Sequence, residues 1–241
     1  RPDGVGGWIV ETALGGGFEM ALALAGDGTA HYFRMTANFS SIGPDNYTIS
    51  GYERSTSGMW TSAGNVDNYV LSIKMRAVTD GAGRVHLLYG DKLFAQSSFS
   101  NFNHRVRDTM GVWSTTTSVG QGLNDMVDIA GADDGTAHIG FADVLGDYKH
   151  QVHGTTITGM GCSSPSCPEL TQAPAVAVDH DGHPYALYNG GVLIEHDGST
   201  WSYGYVPASL GALYALHVDD AGGVHIAWFE SGTLMYGYRC P

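Results

Sequence analysis

Arg76 and Asp128 are opposite charges at matching places in adjacent copies of a repeated segment, each seven residues before a turn glycine (Gly83 and Gly135). The other copies carry Ala21, Ala175 and Ala215 there. Small residues suit a crowded axis, so a cation and a carboxylate that break the pattern are expected to pair. The pair is either a satisfied ion pair in a channel or a clamp that orients a polar ligand at its mouth. Neighbouring strand ends on the same side add Glu19, Arg34, Asp91, Asp143, Asn189 and Glu230. Acidic and amide groups of this kind hydrogen-bond sugar hydroxyls, and Tyr and Trp supply stacking faces. The candidate ligand-binding set is therefore Glu19, Arg34, Arg76, Asp91, Asp128, Asp143, Asn189 and Glu230. The loop from Thr36 to Asn46, with Phe39 and Pro44, is expected to form one wall.

Histidine is the other recurrent chemical group. His31, His86, His138 and His225 occupy equivalent places, with Tyr185 in the remaining copy. A shared metal is not expected. Ligating nitrogens must lie within about 2.1 Å of an ion, and residues one strand out from an axis, with strands about 4.8 Å apart, cannot converge. These residues are read as pins for a turn or for the neighbouring unit. His150 and His153 have opposite strand parity and should face opposite sides. His217 is the histidine singled out for chemistry. The segment from Phe99 to Thr109, with His104, Arg105 and Arg107, reads as a basic loop on the face opposite the candidate site.

No nucleophile elbow, His-Glu-x-x-His or phosphate loop is present, so no catalytic residue is assigned. Asp179-His-Asp181-Gly has a passing likeness to a calcium loop but lacks its distal Glu. Turn chemistry accounts for these aspartates. No cofactor is expected, and calcium is the one ion these turns leave open.

The elements that position these groups come from an internal repeat. Leu22-Ala-Leu-Ala-Gly-Asp-Gly-Thr-Ala-His31, Val78-Thr-Asp-Gly-Ala-Gly-Arg-Val-His86 and Ile129-Ala-Gly-Ala-Asp-Asp-Gly-Thr-Ala-His138 share one pattern. Val176-Ala-Val-Asp-His-Asp-Gly-His-Pro-Tyr185 and Leu216-His-Val-Asp-Asp-Ala-Gly-Gly-Val-His225 complete the set. The anchors 31, 86, 138, 185 and 225 lie 55, 52, 47 and 40 residues apart. Trp8, Trp60, Trp113 and Trp201 mark a later strand and are expected in the core. Each unit parses into strands A to D, with Asp/Gly hairpin turns between A and B at Gly28, Gly83, Gly135, Gly182 and Gly222. No stretch keeps a helical period.

Four-stranded units at this spacing predict an all-β, five-bladed β-propeller in a single domain. The expected blades span 18–67, 69–119, 124–168, 173–206 and 211–239. Residues 6–13 return as the missing outer strand of the last blade, so that Trp8 lies near Tyr236 and no open edge remains.

Composition sets the partners. The net charge of −13 repels phosphate backbones, so nucleic acid is not expected. The apolar runs are too short for a membrane span. Cys162 and Cys167 flank a short turn and are expected to form a disulfide; as half a metal site they lack a second pair. Few lysines and a Gly/Ser/Thr-rich chain fit a secreted, extracytoplasmic setting. Cys240 is left as a free thiol or as the partner of a cysteine in a longer parent chain. The sequons at Asn38 and Asn46 are read as chance.

The repeat, with Asp-x-x-Gly-x-x-His at its centre, resembles propeller repeats of secreted bacterial proteins and covers nearly the whole chain. In plan it also resembles five-bladed lectins of the tachylectin type, without a matching sugar-site motif. That resemblance implies a non-catalytic module binding glycan or another polar ligand. Five-bladed glycoside hydrolases with three carboxylates are the second resemblance. They imply an enzyme, hydrolase or lyase, with one pocket at the channel mouth, drawing on carboxylates or on His217 with Arg76 and a Tyr. A purely structural or protein-binding domain is the third expectation.

Overall fold

The structure, a computed structural model, describes residues 19–38, 46–70, 74–92, 99–153, 155, 158–160, 173–188, 190–206 and 214–241. Every regular element among them is a β-strand. The first unit is an antiparallel sheet of β1 (Glu19–Leu24), β2 (Ala30–Asn38), β3 (Asn46–Arg54) and β4 (Trp60–Val70), in that order. The second comprises β5 (Met75–Thr79), β6 (Val85–Lys92), β7 (Phe99–Arg107) and the first half of β8 (Thr117–Gly131). The second half of β8 opens the third unit, followed by β9 (Ala137–Asp143), β10 (Tyr148–Val152) and β11 (Thr158–Gly159). The fourth is β12 (Ala175–Val178), β13 (Pro184–Tyr188), β14 (Val192–His196) and β15 (Trp201–Tyr205). The fifth is β16 (Tyr214–Val218), β17 (Val224–Glu230) and β18 (Thr233–Arg239).

All five A–B hairpins form, and each turn glycine has positive φ: 85° at Gly28, 76° at Gly83, 87° at Gly135, 84° at Gly182 and 82° at Gly222. Side chains avoid that left-handed region, which explains the glycine in every copy. Asp80 and Asp219 close their turns by accepting amide hydrogen bonds four residues on, from Arg84 and Gly223 at 2.8 and 2.7 Å.

Two local expectations change. The segment from Phe99 to Arg107 is strand β7 rather than a loop, and alternates Ser100, Phe102 and His104 into the interior. Trp113 does not lie on the outer strand. It makes an isolated bridge to Arg107, and β8 begins at Thr117. The second and third units form one continuous seven-stranded sheet, β5 to β11, through β8, whose pairing with β9 breaks register between Gly122 and Val127.

The core lies between units, because each sheet buries one face against the next. Phe33, Met35 and Ile49 meet Met75, Leu87 and Tyr89 between the first and second. Leu88 and Phe102 meet Ile129, Ile139 and Phe141 between the second and third. Tyr148 and Met160 meet Tyr188 and Ile194 between the third and fourth, and Leu187 and Leu193 meet Val224, Ile226 and Trp228 between the fourth and fifth. The leading strands β1, β5, β8, β12 and β16 lie beside one another in succession. The outward face of β1 (Met20, Leu22, Leu24) and that of β18 (Leu234, Tyr236, Tyr238) are both exposed. Residues 6–13, Trp8, Asn189, Cys162, Cys167 and loop residues 39–45 lie outside the described residues.

Candidate functional site

The leading strands carry a polar row. Arg76 Nε on β5 lies 3.4 Å from Asp128 Oδ1 on β8, the pairing expected from the repeat. Arg76 Nη1 lies 3.6 Å from Glu19 Oε1 on β1, and Asp128 Oδ2 accepts the Val176 amide of β12 at 2.9 Å. One guanidinium and two carboxylates thus tie four adjacent strands together. Burial pushes the Asp128 carboxyl up to about 6, against the opposing pull of the Val176 amide and Arg76.

The rest of the expected ring does not gather on this row. Arg34 lies over the Tyr52 ring at 5.0 Å. Asp143 caps the β9–β10 turn, accepting the amides of Leu145 and Asp147 at 2.8 and 3.0 Å and pairing with Lys149 at 3.1 Å. Asp91 sits near the end of β6 opposite Asn101, and Glu230 ends β17 opposite Thr233. His217 is exposed on β16, with its ring centroid 5.7 Å from that of His225. Arg34 and Asp143 thus use their side chains locally.

A cleft of about 750 Å³ opens on the other side, between the A–B turns of the first two units and the β7–β8 connection. Its polar lining includes Asp27, His31, Glu53, Asp80, Arg107 and Asp108. Arg107 pairs with Glu53, and His31 Nδ1 lies 3.6 Å from the same carboxylate oxygen. Burial lowers the pKa of His31 although Glu53 favours its charged form. A slot of about 380 Å³ separates the fourth and fifth units. It is walled by Leu193, Val224, Ile226 and Trp228, and Arg239 grips Glu195 at 2.5 and 2.8 Å at one end.

His86 and His225 bond the turn aspartates Asp80 and Asp219, and His138 bonds Thr136, whereas His31 faces Glu53; some of these histidines also form a chain. Asp80, whose side chain is wholly buried, accepts from His86 Nε2 at 2.9 Å. Burial pushes the Asp80 carboxyl up, yet His86 and the Arg84 amide and guanidinium hold it below its ordinary range. His86 Nδ1 then accepts from His104 Nε2 at 3.1 Å, and His104 Nδ1 accepts from His153 Nδ1 at 2.7 Å. The acceptor-only carboxylate fixes each tautomer in turn. Burial, aided by His153 and His86, drives His104 down to about 2. The same-parity histidines of β6 and β7 were the available signal. No group of three or more His, Cys, Asp or Glu among the described residues is arranged to hold a metal ion.

No family model matches the chain, and no curated protein matches it. Solved structures do. Aleuria aurantia lectin in complex with Fucα1-6GlcNAc aligns over 91% of both chains at 11% identity, with a TM-score of 0.60. A second structure of Aleuria aurantia lectin, described as a six-bladed β-propeller with a novel fucose recognition mode, aligns over 91% of both chains at 12% identity, TM-score 0.60. Penicillium chrysogenum α-L-arabinanase complexed with arabinobiose aligns over 91% of this chain and 77% of its own at 12% identity, TM-score 0.60. The fold is a β-propeller. Identities this low speak to the fold alone.

Proposed function

We propose that this chain is a secreted recognition module that binds glycan without turning it over. The observation that supports it best is the cleft between the first and second units. About 750 Å³ lies within the usual range of ligand sites. Its carboxylates, guanidinium, imidazole and turn backbone offer the mixed donors and acceptors that sugar hydroxyls use. The reading requires no cofactor. It includes five blades in one domain closed by residues 6–13, which would cover the exposed side of β18, and a Cys162–Cys167 disulfide suited to an oxidising compartment. The similar structures include a lectin bound to a fucosylated disaccharide and an arabinanase bound to arabinobiose, so saccharides are the ligand class to test first.

One observation favours an enzyme instead. Asp128, raised to about 6, and Glu19 flank a single arginine, and carboxyls in different environments are what general acid–base cleavage of glycosides employs. A glycan array run beside a polysaccharide-degradation screen separates the two readings. Binding without turnover, weakened by Glu53→Gln, is expected. Turnover that disappears in Asp128→Asn refutes the recognition reading.

A further inference from the structure

A third pocket, of about 370 Å³, lies between the third and fourth units, and its lining includes His138, His150, His183, His196 and Trp201. No Asp, Glu, Lys or Arg lines it among the described residues. Its hydrogen bonds determine what each imidazole presents. Asp134 accepts the Thr136 hydroxyl proton at 2.7 Å, so Thr136 Oγ1 accepts from His138 Nε2 at 3.1 Å. His138 Nδ1 must then accept from His150 Nε2, at 3.0 Å. This leaves His150 Nδ1 as an acceptor, on a residue only 6% exposed that lines the pocket. On the facing unit, His196 Nδ1 accepts the Gly198 amide at 3.2 Å, so its Nε2 carries a proton to donate. His183 Nδ1 donates to Asp179 at 3.3 Å, and its Nε2 lies beside Gly198. The half-buried Trp201 ring has its centroid 5.0 Å from that of His150 and 4.7 Å from that of His196. Burial pushes His138 and His150 down to about 4 and about 3, so both are neutral near pH 7.

An indole beside one imidazole acceptor and one imidazole donor, with no Asp, Glu, Lys or Arg in the lining, suits a ring that has an apolar C–H face and hydroxyls at its rim. An anion would find no cation here, and an organic cation no carboxylate. We infer that this pocket is a subsite for an uncharged saccharide ring, stacked on Trp201, with one hydroxyl donating to His150 Nδ1 and another accepting from His196 Nε2–H. It rests on the recognition reading for its ligand class, and it adds a site chemically unlike the charged first cleft.

The test is an imidazole ¹⁵N NMR titration of the whole chain with methyl glycosides of fucose, arabinose, galactose and glucose, and separately with zinc chloride. At least one glycoside should shift His150 and His196 saturably, with affinity at least tenfold weaker in His196→Ala. His183→Ala, which removes a lining imidazole from a partly exposed position, serves should the first variant misfold, and should weaken the same glycoside. A glycoside that shifts His31 in the first cleft but neither His150 nor His196 overturns this subsite alone. Silence at both places, with an unreactive glycan array, overturns the recognition reading as well. Stoichiometric zinc binding that displaces the same glycoside signals identifies a metal site and also overturns the inference.

Discussion

Acidification should unfold this protein through its buried histidines, well above the pH at which ordinary carboxylates titrate. His104, His138 and His150 are 0, 5 and 6% exposed, and burial lowers them from 6.5 to about 2, about 4 and about 3. The unfolded chain takes up protons at these imidazoles near pH 6.5, whereas the folded chain takes them up only far lower. Their stabilising contribution is therefore complete above 6.5 and drains as the pH falls towards the folded values. Between about pH 7.5 and about pH 5 each loses about 2 kcal/mol, and the three together about 6 kcal/mol. His31, His86 and His153 shift the same way. Asp128 works in the opposite sense. Its carboxyl is raised from 3.8 to about 6, so the folded state binds that proton first and regains about 1 kcal/mol over the same interval. A net loss of about 4 to 5 kcal/mol is a large share of an ordinary domain's stability of about 5–15 kcal/mol. Urea unfolding followed by tryptophan fluorescence at the two pH values measures it. His104→Gln should reduce the pH dependence by about 2 kcal/mol, since one titrating imidazole is removed. A stability that is flat or rising on acidification, or a dependence unchanged in His104→Gln, refutes the assignment of these imidazoles as buried and neutral.

Three further outcomes follow from the geometry. Replacing Arg76 with Met removes the cation between Glu19 and Asp128, so Asp128 should titrate above its wild-type value of about 6; a ¹³C carboxyl titration that stays put or falls contradicts the pairing. A Cβ at Gly81 would lie 2.1 Å from the Asp133 carbonyl oxygen, so Gly81→Ala should cost about 1–3 kcal/mol by urea unfolding, whereas Gly26→Ala, with open space around it, should change little. Asp80→Asn leaves the wholly buried His86 pair broken and should cost about 3–5 kcal/mol, while Asp219→Asn, at the same turn position but one-third exposed, should leave the midpoint nearly unchanged; equal effects would mean that burial does not set the strength of this motif.

Local chemistry determined a good deal of this molecule before any fold was known. The turn glycines are legible because a left-handed backbone admits little else, and all five adopt positive φ. Strand parity sends His150 and His153 to opposite sides, where they meet His138 and His104 respectively. The Arg76–Asp128 pair followed from two residues breaking a small-residue pattern at one height. Strand β7 was misread because its buried face holds Ser100 and His104 beside Phe102, so the alternation was not hydrophobic. The His104–His153 link, the Glu53–Arg107 pair and the clefts were out of reach for a different reason. Each is made where the side chains of one sheet meet the next, tens of residues away in sequence. A repeat specifies what every unit contains, whereas side-chain burial and reach across the seam decide which polar groups bond one another and which are left facing a cavity.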